Sequence, residues 1–63
     1  MKFSISQKEN VSFKNRKCTS YKIEEYREDK FGQGAWYHVG RGFAKGHFAS
    51  DDECISDYLD RDS

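Results

Sequence analysis

Polar and apolar residues alternate strictly over residues 2–6, with Phe3 and Ile5 on one side and Lys2, Ser4 and Ser6 on the other. A repeat of two is the signature of a half-buried strand. Residues 7–10 (QKEN) are polar and of turn length, and Val11 and Phe13 then resume the alternation. Residues 1–14 are therefore predicted to form a hairpin. Residues 21–30 fit two patterns. As a helix they would have Ser20 as N-cap and Gly32 just past the end. As a strand, Tyr21 and Ile23 share a face and Tyr26 takes the other. Aromatic segments flank the loop Phe31-Gly32-Gln33-Gly34, a hairpin signal that favours the strand. A strand at residues 35–39, a turn at Gly40-Arg41-Gly42 and a short strand at 43–48 complete the sheet, placing strands across residues 20–48.

The helix signal is clearer. Ser50-Asp51-Asp52-Glu53 has the form of a capping box, in which the serine hydroxyl accepts from the amide three residues on. Three acids then face the positive end of the helix dipole. Cys54, Ile55, Tyr58 and Leu59 follow at helical spacing as one apolar stripe. A helix over residues 51–60 is predicted, docking this stripe on the sheet. The fold class is α+β: a small antiparallel sheet, made of the N-terminal hairpin and about three further strands, with one C-terminal helix on one face. Proline is absent, and no repeat or linker divides the chain, so residues 1–63 are read as a single domain.

Composition changes what the core must be made of. Ile, Leu and Val number six and Phe, Tyr and Trp ten. A chain this short buries only about 60% of its unfolded surface, so Trp36, Phe43 and Phe48 are expected inside. Lys/Arg and Asp/Glu balance at eleven each, but unevenly: residues 1–47 carry a net of +5 and residues 48–63 a net of −5. Such a chain either neutralises itself on folding or presents a basic body to an anion.

Several classes are excluded. No apolar run is long enough to span a membrane. The start, MKFSISQKEN, lacks the apolar centre of a signal peptide, so a cytoplasmic location is expected, with Cys18 and Cys54 as free thiols. Cys18, His38, His47 and Cys54 are separated by 19, 8 and 6 residues, without the tight knuckle of a structural zinc site. Neither cysteine lies in a nucleophile motif, and the two GxG pairs lack the rest of a phosphate-binding fingerprint. No enzyme activity, metal or cofactor is expected.

The segment 36–48 interleaves aromatics with Arg41, Lys45 and two histidines and contains no acid. One face of a sheet built from it could attract phosphates and stack bases. The pattern Trp36-x-x-Val39, Gly46-x-Phe48-x-Ser50-x-Asp52-Glu53-Cys54 and Tyr58-Leu59 resembles the unit of three strands and a helix in plant ethylene-response DNA-binding domains and the arm-binding domains of tyrosine recombinases. The resemblance covers residues 21–60. It implies DNA recognition through the exposed sheet face, with Arg27, Trp36, Arg41 and Lys45 at the matching positions. Glu24, Glu25, Glu28 and Asp29 depart from the basic character of those domains. In size and style the chain is also similar to small phage proteins of the anti-CRISPR kind.

Two functions follow as expectations. The first is a small non-enzymatic protein-binding module that modulates or inhibits a partner, of the type phages direct at host nucleic-acid-processing machinery; Tyr, Trp and Arg are the residues that anchor interfaces. The alternative is direct DNA or RNA binding through the basic-aromatic face. Candidate binding residues are Arg27, Trp36, Tyr37, Arg41, Lys45 and His47. Homodimerisation is a further option, since a small core gains from burying a shared face.

Overall fold

The computed structural model describes residues 2–61; Met1, Asp62 and Ser63 lie outside the described residues. Three strands, β1 (Lys2–Phe13), β2 (Arg16–Glu28) and β3 (Gly34–Lys45), precede one helix, α1 (Asp51–Arg61). The strands form an antiparallel meander with β2 in the middle, and α1 packs across one face. The architecture is α+β as expected, with three long strands in place of the larger number read from the sequence.

The first difference is at residues 7–10, which continue β1 and do not turn. The chain turns instead at Lys14-Asn15, both left-handed, with φ of 51° and 64°. Two left-handed central residues match the twist of the flanking strands. Polar residues interrupt the hydropathy of β1 because the inner face offers them partners. Lys8 Nζ donates to the Ala49 carbonyl at 3.1 Å and pairs with Asp51 at 2.8 Å, and Asn10 Oδ1 accepts from the Phe48 amide at 2.9 Å. A bulge between Ile5 and Gln7 puts Ile5 and Lys8 on the same face.

Gly40-Arg41-Gly42 is not a turn either. It lies within β3, beside a bulge where Val39 is skipped in the pairing with β2. A Cβ on Gly40 would lie 2.6 Å from Tyr58 Cε1, and one on Gly42 would lie 2.6 Å from the Tyr21 hydroxyl oxygen. These glycines make room for two rings under the helix, the use of glycine in a strand where something must approach closely. β3 then ends at Lys45, and residues 46–48 turn rather than extend, with φ of 80° at Gly46 and 60° at Phe48.

The core is small and not the aromatic one expected. Tyr21, Ile23, Ala44, Ala49 and Cys54 are buried, with Phe3, Ile5, Val39, Ile55 and Tyr58 packed around them. Buried Thr19 ties down the connection from β3 to α1: its hydroxyl donates to the Gly46 carbonyl at 2.7 Å and accepts from the Ala49 amide at 3.1 Å. Trp36, Phe43 and Phe48 stay outside, 46%, 50% and 87% exposed. Compact alanine, threonine and cysteine side chains let the helix sit close to the sheet, and the large rings are displaced to its other surfaces.

The Ser50 cap forms, its hydroxyl accepting from the Glu53 amide at 3.1 Å. Side chains after β3 also occupy carbonyls of the outer strands. Tyr58 donates to Val39 O at 3.2 Å and Arg61 to Phe43 O at 3.0 Å, while His47 Nε2 donates to Val11 O at 3.0 Å. These contacts blunt both sheet edges against further strand pairing.

Candidate functional site: the open face of the sheet

Alternation in β2 separates two rows. Thr19, Tyr21 and Ile23 point under the helix, so Arg16, Cys18, Ser20, Lys22, Glu24 and Tyr26 point the other way. The pairing register carries this assignment outward. Lys22 stands between Gln7 and Arg41, Ser20 between Glu9 and Phe43, Glu24 between Ser4 and His38, and Tyr26 between Lys2 and Trp36. The result is a continuous open face, its β3 row reading Trp36, His38, Arg41, Phe43 and Lys45 without an acid.

The rings on this face are held in place. Tyr26 lies over Gly34, where a Cβ would fall 1.8 Å from its hydroxyl oxygen, so only glycine leaves the slot. Trp36 packs against Tyr26 edge to face, centroids 5.4 Å apart at 63°, and Lys2 Nζ lies 5.6 Å from the Tyr26 centroid. At the other end, Phe13 of β1 and Phe43 of β3 stack across the middle strand at 6.3 Å and 13°. Between Arg16 and Ser20, their pairing partners, the next open-face position is half-buried Cys18.

The electrostatics divide by layer. α1 holds five acids and one arginine, all on the far side of the sheet. The open face holds Lys2, Arg16, Lys22, Arg41 and Lys45 against Glu9, Glu24 and Glu28. Lys22 and Arg41 are directly opposite each other. Among the described residues, neither they nor Arg16 and Lys45 take part in an ion pair. Like charges directly opposed across strands are generally destabilising, and the nearest acids on this face, Glu9 and Glu24, are each one pair away from Lys22.

The candidate residues therefore separate. Trp36, Arg41 and Lys45 share the open face. Arg27 and Tyr37 project from the opposite face beyond the reach of the helix, the guanidinium 5.9 Å from the ring centroid and also bonded to Glu25 at 2.6 Å. His47 belongs to the connection before α1, engaged with Val11. Reading the sequence missed Lys22, Phe13 and Phe43 as partners of Arg41 and Trp36. The signal lay in the alternation of β2, which sends Lys22 away from Tyr21 and Ile23.

Other features are committed to structure. A shallow depression of about 290 Å³ near Phe48 is lined by Lys8, Asn10 and Thr19, whose polar groups already bond the loop and helix. The Cys54 thiol is buried, which pushes its pKa up and keeps it un-ionised and unreactive. Cys18 lies on the open face and Cys54 beneath the helix, both as free thiols. Among the described residues no three His, Cys, Asp or Glu side chains gather as a metal site, and no helix is long and apolar enough to cross a membrane. Comparison of the chain with protein-family models, curated proteins and solved structures finds no match.

Proposed function

We propose that this chain is a non-enzymatic nucleic-acid-binding module that uses the open face of its sheet. The observation that carries the reading is the Lys22 and Arg41 pair, directly opposed and in no ion pair among the described residues, on a face that also exposes Trp36 and Phe43. A phosphate between the two cations would offset their repulsion and release condensed counterions. Five of the eleven acids lie on α1, across the sheet from the ligand, while Glu9, Glu24 and Glu28 share the open face and leave it with a smaller cationic excess.

The test is fluorescence anisotropy with labelled oligonucleotides over a range of salt. Binding that weakens steeply with salt and is abolished by Arg41→Glu with Lys45→Glu is the expected result. No binding at low salt, or binding indifferent to the double substitution, would overturn the reading.

A second reading rests on the other end of the molecule. Arg27 stacked on Tyr37, with Phe31 77% exposed on the nearby hairpin loop, offers aromatic and arginine anchors for a partner protein that the chain would modulate or inhibit. This reading expects one discrete protein captured from host lysate after nuclease treatment and in about 0.5 M salt, where exposed charges are screened. Arg27→Ala with Tyr37→Ala should abolish the capture, and capture that survives the pair of substitutions sinks the reading.

A further inference from the structure

The residues exposed on the open face favour one form of nucleic acid over another, an inference that rests on the nucleic-acid reading above. We infer that the ligand is a single strand, RNA or DNA, whose bases stack on Trp36 and on the Phe13/Phe43 pair while its backbone crosses Lys22 and Arg41.

Three observations lead there. The first is order along the strand. Trp36 and Phe43 bracket His38 and Arg41 on one face of β3, with Val39 bulged out of the pairing. At about 3.4 Å per paired residue the two ring groups stand roughly 20 Å apart. That separation suits the short end of the roughly 4–16 nucleotides engaged by small single-strand-binding folds. Lys22 and Arg41 lie between the two stacking positions, where the linking phosphates would run, with Glu24 the one acid of β2 and β3 in the same stretch of the face.

The second is exposure. Trp36 and Phe43 are about half open to solvent and Phe13 is 60% exposed, although each already has an aromatic neighbour. A ring surface left open on a polar, cationic face is suited to stack on an unpaired base. A duplex conceals the faces of its bases and presents only edges and phosphates.

The third is preorganisation. Gly34 leaves the slot for Tyr26, and Tyr26 supports Trp36. A platform already ordered in the free protein loses little side-chain freedom on binding. Stacking is indifferent to base identity, so weak sequence preference is expected.

The chain contains one tryptophan, Trp36, so its fluorescence reports directly on the proposed contact. The experiment titrates the intact protein with a single-stranded oligonucleotide of about a dozen residues and with the duplex of the same sequence, a length chosen to cover one small-fold site. Quenching of Trp36 by the single strand, and binding of it at least about tenfold tighter than the duplex, are expected. Trp36→Ala and Phe43→Ala should each weaken single-strand binding by about 5- to 150-fold, the range for losing one stacked base. Trp36→Phe should restore most of the loss, which separates lost stacking from misfolding. Equal or tighter duplex binding, unaffected by Trp36→Ala but abolished by Arg41→Glu with Lys45→Glu, would overturn the single-strand inference and leave the nucleic-acid reading standing. Binding to neither form would overturn both.

Discussion

The hydroxyl of Tyr21, at the centre of the sheet, donates a 2.6 Å hydrogen bond to Oδ2 of Asp57 on the helix. Tyr21 is 1% exposed, and Arg61 approaches the same carboxylate oxygen at 3.3 Å. One buried phenol thus ties the centre of the sheet to α1, beside the anchors that Tyr58 and Arg61 make on β3 and Asp51 on Lys8. Tyr21→Phe keeps the ring and deletes only the bond. A hydrogen bond to a charged group contributes about 1.5–3 kcal/mol, and the loss should fall near the lower end because Arg61 still accompanies Asp57. A thermal melt should show a drop of roughly 4–8 °C per kcal/mol for a domain of this size.

The same bond sets an upper pH limit. Burial, reinforced by the Asp57 bond, pushes the Tyr21 phenol well above its ordinary pKa of 10.0, and burial pushes the Cys54 thiol above 9.0. For a group whose pKa is raised by folding, the stabilisation is complete below the unfolded pKa and is lost as pH rises past it toward the folded value. The melting temperature should therefore decline once pH exceeds 9.0, as the thiol of the unfolded chain ionises, and more steeply above 10.0, as its phenol does. Tyr21→Phe should flatten the second part of the decline. An identical alkaline profile in that variant would remove Tyr21 as its cause.

Gly42 is predicted to resist substitution although it is in an extended strand. A Cβ there would meet the Tyr21 hydroxyl oxygen at 2.6 Å, its Cζ at 2.9 Å and Arg61 Nη1 at 3.0 Å. The ring cannot yield without breaking the bond to Asp57. Gly42→Ala should cost about 1–3 kcal/mol, the usual range for overpacking, measured by denaturant titration. Neutral behaviour would mean that the helix can shift outward without penalty.

Ser50→Ala should cost about 0.5–2 kcal/mol by removing the acceptor for the Glu53 amide. Ser50→Asp, which also caps, should retain most of the stability. If both variants melt like the parent, the cap contributes nothing and α1 is held by its sheet contacts alone.

What could be read in advance divides by the range of the interactions. The helix was legible because its start depends on chemistry within four residues, Ser50 to Glu53, and its stripe on spacing alone. The strand character of residues 21–28 followed from flanking aromatics and a glycine loop. The single long β1 was not legible, because Lys8 and Asn10 are inner-face residues satisfied by Ala49 and Phe48, 41 and 38 positions away. Glycine misled for a related reason: Gly40 and Gly42 look like turn residues until the rings of Tyr58 and Tyr21 are known to lie over them. For the site, the acid-free run in β3 marked Trp36, Arg41 and Lys45, but Lys22 was masked by Glu24 and Glu25 beside it. Alternation then sends Glu25 to the other face, where it holds Arg27.

Lys22 provides a test in which stability and function should move in opposite directions. Its only directly opposed neighbours are Gln7 and Arg41, so Lys22→Gln removes a cross-strand repulsion and leaves a side chain of similar reach. Cross-strand pairs contribute roughly 0.2–1 kcal/mol, and the variant should melt a few degrees higher, in proportion to a gain of that size. Its affinity for nucleic acid should fall, and the dependence of log affinity on log salt should become shallower by about 0.7, the value for one phosphate on a single strand. A charge retained for a ligand behaves in this way, stabilising the complex while straining the free protein. If Lys22→Gln lowers the melting temperature and leaves binding intact, Lys22 is a structural residue, and the centre of the open face is not where a phosphate sits.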